Sequence, residues 1–509
     1  MPSLKLALTL LLVSLSTHLT LAQKEANTWY FGDYAGLEFS TDCQPVALDN
    51  SQMTLSYVSP AVMSEPLTGQ LLFYTNSYQV WDKNHRVMPN GAFAAKFEGE
   101  DTSPQIALIV PVPGQPFRYY LFRLSGNDSL DAGYANHSRL NYSIIDMRLQ
   151  EGDGDVVTSQ KNCQEGFANR LTAIRHQNGR DYWLLTHLAE SDAFLVYPIT
   201  SAGIGRADTS HIGSVIQKNE VGQIKASPDG QKLACTTLSS QAHPFELFDF
   251  DATTGQLTND VNLGDLRLQY GLSFSPDNSK LYVTTRTRAV VTEDKPELVR
   301  QYDLRAGSVD AIKASGKSVL YQNPYSNFSS ASAQTQGDFV AAQLQIGPDG
   351  RIYATANANA SSSSLTSGRH FLIINQPNEP GFGCDVQLQV AELGRGMVGN
   401  FGTLPNFMQH YFDGLAPQTC SFDQNDECTG ANIEVYPNPV KDVFELRITD
   451  LCFSPYELRI TNESGQQVAN QTVKAPGSFK VSLTGLAAGI YFVELQFANH
   501  RTVKRLVKY

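Results

Sequence analysis

Apolar and polar positions alternate in short runs along most of this chain, and several runs start from a turn spelled in nearly the same letters. "SPDGQKLACTT" begins at residue 227, "SPDNSKLYVTT" at 275 and "GPDGRIYATA" at 347. Proline pre-sets the first central position of a type I turn, aspartate suits the second, and glycine takes the left-handed conformation that re-enters a strand. After the turn, Leu233 with Cys235, Leu281 with Val283, and Ile352 with Ala354 share one face of a strand, as a period of two requires. Looser copies stand at 65 ("EPLTGQLLFYTN"), 112 ("VPGQPFRYYLFRL") and 176 ("HQNGRDYWLLTH"). Six hairpins thus precede residue 360, at the spacing of a four-stranded unit plus its loops. Further strand-turn-strand text lies between them at 245 and 300, and helical periodicity of any length is absent.

One four-stranded sheet leaves both faces uncovered, whereas sheets stacked radially bury each face against a neighbour. The predicted fold class is therefore all-β: a β-propeller, with seven blades favoured and six or eight left open because residues 285–347 offer room for a blade without a clean turn. A pair of β-sandwiches is the structural alternative. The dipeptide Trp81-Asp82 occurs once and does not define a WD40 repeat. Ring closure requires the ends to meet, so the aromatic stretches 27–39 ("NTWYFGDYAGLEF") and 402–412 ("GTLPNFMQHYF") are expected in the same or adjacent sheets. With the "SPDG" turns and "LLFYTNSYQVWDKNHRVMPNG" at 71–91, these stretches resemble a family of secreted propeller proteins of Bacteroidetes with WD40-like (PD40-like) repeats. The resemblance covers roughly residues 27–415 and implies a fold rather than a chemistry.

After residue 413 the text turns polar, and 414–431 reads as a linker. Residues 432–509 alternate again, with Gly and Pro punctuation, as a small immunoglobulin-like β-sandwich would. Pro437 and Pro439 bracket Asn438 and are expected to lock a turn, and Gly489 is expected to free the backbone before "IYFVEL". This segment is similar to the C-terminal sorting domain of the type IX secretion system. The family's proline-asparagine-proline opening falls on Pro437, Asn438 and Pro439, its glycine-[ILV]-tyrosine turn on Gly489, Ile490 and Tyr491, and its basic terminal strand on Val503, Lys504, Arg505, Leu506 and Lys508. The resemblance implies recognition by an outer-membrane export machine, and hence a secreted or outer-surface location reached through the periplasm.

The chain of 509 residues exceeds what one core usually organises. Residues 1–22 have the layout of a secretory signal peptide, with Lys5, an apolar run and small residues ending at Ala22. The expected organisation is leader 1–22, propeller 23–413, linker 414–431 and sorting domain 432–509. Polar Ser14, Ser16, Thr17 and His18 break the leader before it reaches spanning length, and no later segment is apolar enough to cross a bilayer. All seven cysteines follow the leader, and Cys420 with Cys428 makes the best local disulfide pair. The net charge of −12 is uneven: residues 432–509 hold nine Lys/Arg against seven Asp/Glu, whereas 23–431 hold 28 against 43. An acidic body argues against nucleic acid as a partner.

No nucleophile elbow, zinc helix, Cys-x-x-Cys pair or phosphate loop is present. Glu151, Asp153 and Asp155 form a glycine-rich acidic loop that offers oxygen ligands to calcium, although it lacks an EF-hand frame. The linker acids Asp423, Asp426 and Glu427 carry the same alternative reading as solvated turns. His176 and His187 belong to one hairpin, where a structural role is expected. Trp29, Trp81 and Trp183 suit either sugar stacking or packing between blades. The Asn-x-Ser/Thr sites at Asn127, Asn136, Asn141 and Asn327 are chance matches in a chain of this composition. The leading expectation is an exported module that binds a glycan or protein on one rim of the ring, with the type IX machinery as export partner and no catalytic residue or cofactor assigned. The alternative is an extracellular hydrolase or lyase, lactonase-like or glycan-degrading, with a funnel site. A structural surface component is the third reading.

Overall fold

A computed structural model describes residues 23–39, 45–54, 59–93, 105–125, 138–217, 220–285, 299–320, 340–357, 370–390, 403–418, 432–449, 455–474, 477–497 and 500–509. All six predicted hairpins form, and they share one geometry. In each, the N–H of the residue opening the turn donates to the carbonyl of the residue closing it, as in Ser227 N–H to Lys232 O at 2.9 Å and Ser275 N–H to Lys280 O at 2.9 Å. A left-handed residue stands before the second strand, Gly230 at φ 71° and Asn278 at φ 61°. Asn278 shows that the position requires the conformation rather than glycine itself.

Each hairpin joins the first two strands of a blade. The second blade runs through Ala61–Ser64, Leu71–Thr75, Gln79–Asp82 and Val87–Ala92. The third has Ala107–Pro111, Arg118–Ser125 and Ser138–Asp146; its outer strand is the first half of Asp155–Arg175, whose second half becomes the inner strand of the fourth blade beside Tyr182–Leu188 and Ser191–Thr200. Gly203–Ile204 and Asp208–Ile216 pair with the outer side of Ser191–Thr200. The fifth blade spans Ile224–Ala226 to Gln256–Leu266, the sixth Gln269–Phe274 to Lys317–Leu320, and the seventh Val340–Ile346 to Val386–Val390. Residues 285–347 hide no extra blade among the described residues: Val299–Asp303 and Lys317–Leu320 complete the sixth, joined by the short helix Val309–Ala314.

The first blade has three strands, Thr28–Phe31, Ala35–Glu38 and Val46–Leu48, which brings the ring to seven among the described residues. Its first strand starts at the turn-bearing end of the ring, where Ser64 N–H donates to Glu25 O at 2.9 Å, so it runs in the direction of the second strand of other blades. The innermost place is taken by the returning chain. Leu404 N–H donates to Gln343 Oε1 of the seventh blade at 2.9 Å, Asn406 N–H to Pro60 O of the second at 3.0 Å, and Phe407 packs on Trp29 with ring centroids 6.0 Å apart. The two aromatic ends therefore meet as expected, but the returning segment forms no strand. Pro405 has no N–H to give a ladder, and side-chain amides replace the pairing. Trp29, Phe39, Tyr353 and Phe371 fill the seam in the largest hydrophobic core.

Residues 432–508 form two further sheets. One pairs Asn432–Tyr436, Val443–Thr449 and Gly477–Ser482; the other pairs Gln467–Lys474, Pro455–Asn462, Gly489–Phe497 and His500–Lys508. Ile433, Phe444, Leu446, Leu458, Ile460, Val493, Leu495 and Leu506 are buried together between them, which makes a sandwich. Among the described residues no helix is long and apolar enough to cross a membrane.

Candidate functional site

A cleft of about 690 Å³ opens between the third and fourth blades, inside the range of roughly 300–1,000 Å³ usual for small-molecule sites. One wall is aromatic. Tyr120 and Tyr142, on neighbouring strands of the third blade, stand edge to face with centroids 5.7 Å apart, and Tyr197 of the fourth blade joins them. Leu195 and Tyr197 face the cleft, while Val196 between them packs into the next core, as strand alternation dictates. The other wall is the run Ala202-Gly203-Ile204-Gly205-Arg206-Ala207, which has few side chains with which to fill the space. Gly205 belongs there because a Cβ would lie 2.7 Å from Pro198 Cγ. Arg206 is exposed on this wall and Thr209 lies beyond it. Burial, and then the neighbouring Tyr142 phenol, pushes the Tyr120 hydroxyl above its usual range, so it stays a hydrogen-bond donor across ordinary pH.

The axis of the ring is tied across by amides. Gln105 of the third blade donates from Nε2 to Ile224 O at 2.9 Å and accepts the Ile224 N–H at 2.7 Å. Gln223 accepts the Leu272 N–H at 2.9 Å. Asn406 donates from Nδ2 to Ala107 O and Leu171 O, each at 3.0 Å. Lys225 reaches the seventh blade, donating to Leu344 O and, at 2.8 Å, to Gln345 Oε1. Burial pushes its ammonium down to about 7. The described axial side chains therefore consolidate the ring.

The sequence candidates fall elsewhere and apart. Asp153 pairs with Lys83 at 3.3 Å and with Arg86. Asp155 accepts from Asn90 N–H at 3.0 Å and Nδ2 at 2.9 Å, and Glu151 sits at φ 58° in the same turn. The three carboxylates do not converge, and among the described residues no group of three His, Cys, Asp or Glu does. His187 is buried edge-on to Phe194 with centroids 4.5 Å apart; burial, reinforced by Arg170, pushes its imidazole down to about 3. His176 stacks on Trp183 at 5.2 Å. Trp29, Trp81 and Trp183 fill space between and within blades, so tyrosines line the cleft instead. Cys235 and Cys384 are buried and stand outside any disulfide among the described residues. Cys420, Cys428, Asp423, Asp426 and Glu427 lie outside the described residues, as does the leader 1–22.

In the C-terminal sandwich several residues of the sequence pattern come together. Asn438, between Pro437 and Pro439, donates from Nδ2 to Arg505 O at 2.8 Å and accepts the Val507 N–H at 3.0 Å, so one side chain imitates a paired strand against the terminal one. Val440 N–H donates to Val507 O at 2.8 Å. Lys508 is buried and donates to Lys441 O and, at 2.9 Å, to Asp442. Lys504 and Arg505 are exposed. Tyr491 is buried, its hydroxyl donating to Ala487 O at 2.7 Å. Gly489 differs from expectation: its φ lies outside the left-handed region and a Cβ there would meet nothing within 4 Å, so the described backbone does not require glycine.

The cleft was not anticipated from sequence, although "SAGIGRA" at 201, a run of small residues after an aromatic strand, was its signal. The glutamine four positions before two of the turns, Gln223 and Gln343, was likewise the unread mark of the axis.

Residues 434–509 match the secretion system C-terminal sorting domain family. That match indicates type IX secretion to the cell surface or the extracellular space. No curated protein matches the chain in sequence. Among solved structures, the periplasmic gluconolactonase of Pseudomonas aeruginosa is similar at 12% identity, with 75% of this chain and 96% of that one covered and a TM-score of 0.33. A quinoprotein alcohol dehydrogenase-like protein of Bacteroides thetaiotaomicron is similar at 10% identity, covering 68% and 80%, with a TM-score of 0.30. An exo-β-1,3-galactanase of Phanerochaete chrysosporium is similar at 11% identity, covering 77% and 92%, with a TM-score of 0.29. Likeness at this distance says nothing about chemistry. The chain is a secreted β-propeller that carries a type IX sorting domain at its C-terminal end.

Proposed function

We propose that the ring is an exported binding module and that the cleft between its third and fourth blades holds a saccharide. The cleft carries this reading. The partly accessible Tyr142 ring, backed by buried Tyr120 and Tyr197, offers an apolar face to the C–H side of a sugar and a hydroxyl to its oxygens, while the Gly-rich wall lets a ligand approach backbone amides and carbonyls. A funnel hydrolase has less support, because the described axial groups are amides and one lysine, and a general acid or base of the carboxylate kind is missing among them. Residues 23–413 would be the cargo, 414–431 its tether and 432–509 its export label, with 1–22 the leader for the first membrane.

Binding of the exported chain to an array of surface and plant polysaccharides, followed by titration calorimetry, tests this. Tyr142 is only partly buried, so Tyr142→Ala is expected to keep the fold and weaken binding roughly tenfold or more. Unchanged affinity in that variant would remove the cleft from the binding site.

A further inference from the structure

Resting on that reading, we infer that the saccharide is an acidic one, a uronate whose carboxylate faces Arg206. Three observations converge. First, the cleft lining contains one charged side chain, Arg206, and no Asp or Glu. Second, the nearest acid in sequence is turned away. Asp208 stands opposite Val196, and Thr209 opposite Leu195; because Leu195 and Thr209 line the cleft while Val196 packs into the adjacent core, Asp208 projects to the other face of its sheet. Among the described residues Arg206 forms no ion pair or side-chain hydrogen bond.

Third, the charge of the whole molecule makes the position unusual. The chain carries 50 acidic against 38 basic residues, a field that repels anions. A carboxylate-free cleft with a lone guanidinium is the local inversion that an anionic ligand would need. Guanidinium binds carboxylate through two parallel N–H donors, while Tyr142, partly accessible in front of the buried Tyr120 and Tyr197, supplies a ring face and a neutral hydroxyl to the sugar. A uronate stays ionised above its ordinary carboxylate pKa, so its attraction to the guanidinium should weaken with added salt.

The test uses the full exported chain with oligomers of galacturonate, glucuronate and mannuronate, each compared with its methyl ester, which keeps the shape and removes the charge. At least one acid form is expected to bind about tenfold or more tighter than its ester, from the strength of a charge-assisted contact. Arg206→Gln should bring acid and ester to the same affinity, and Arg206→Lys should recover part of the gap. Tyr142→Ala should weaken acid and ester alike. Equal binding of acid and ester by the wild type overturns the acidic-ligand inference and leaves the saccharide reading standing. Failure of every oligomer to bind, together with neutral glycans, overturns both.

Discussion

Glu25 and Lys225 are both buried in the ring, and each should leave a signature in stability. Burial, the largest influence, raises the Glu25 carboxyl from 4.5 to about 7, against the lowering effect of its backbone hydrogen bond and Arg175. Between those two values the unfolded chain has released this proton and the folded chain still holds it, so stability falls as pH rises through the window. Glu25→Gln is expected to match the wild type near pH 5 and exceed it at pH 8, read from urea midpoints; an equal gap at both would contradict the assignment. Lys225 has the opposite slope. Its folded value of about 7 lies below 10.5, so the unfolded chain holds the extra proton and stability rises from pH 7 upward. Lys225→Met should flatten that rise relative to the wild type. Neither residue was singled out in the sequence, where one is a glutamate near the chain start and the other a lysine in a short strand. Their burial follows from long-range packing that no local pattern records.

At the scale of elements, what was legible is what is local. The Ser-Pro-Asp-Gly turn specifies its own hydrogen bonds within six residues, and Leu233 and Cys235 reach a shared core by strand alternation alone. The cleft was illegible for the converse reason: Tyr120, Tyr142, Tyr197 and Arg206 belong to four separate strand or loop segments, and their meeting depends on how Asp155–Arg175 passes from one blade to the next. The returning segment was half legible, since its aromatic content foretold the meeting with 27–39 but its proline and amide side chains replaced the expected strand. Trp29 holds this seam, fully buried against Phe39, Tyr353 and Phe407. Trp29→Ala is expected to cost about 3–5 kcal/mol, seen as a lower denaturation midpoint, with a far smaller loss for a change at exposed Phe382. In the sandwich, Asn438→Ala should cost about 0.5–1.5 kcal/mol, since the Arg505 carbonyl and Val507 amide are exposed and turn to water instead.

For the whole molecule, the matched tail implies that its removal changes location rather than architecture. Deleting 432–509 is expected to leave a folded ring in the periplasm, with unchanged circular dichroism for the remaining chain; the shortened protein in the medium at wild-type amounts would contradict this. The ring itself closes through its longest-range contacts. Residues 27–39 meet their partners, Leu404 to Phe412, across the length of chain that builds the other six blades. Until they meet the wheel has a gap, and loop closure over such a span is slow. The piece that shuts the gap lies a short way ahead of the export label, so the stretches that lock the wheel and that address it are near neighbours along the chain.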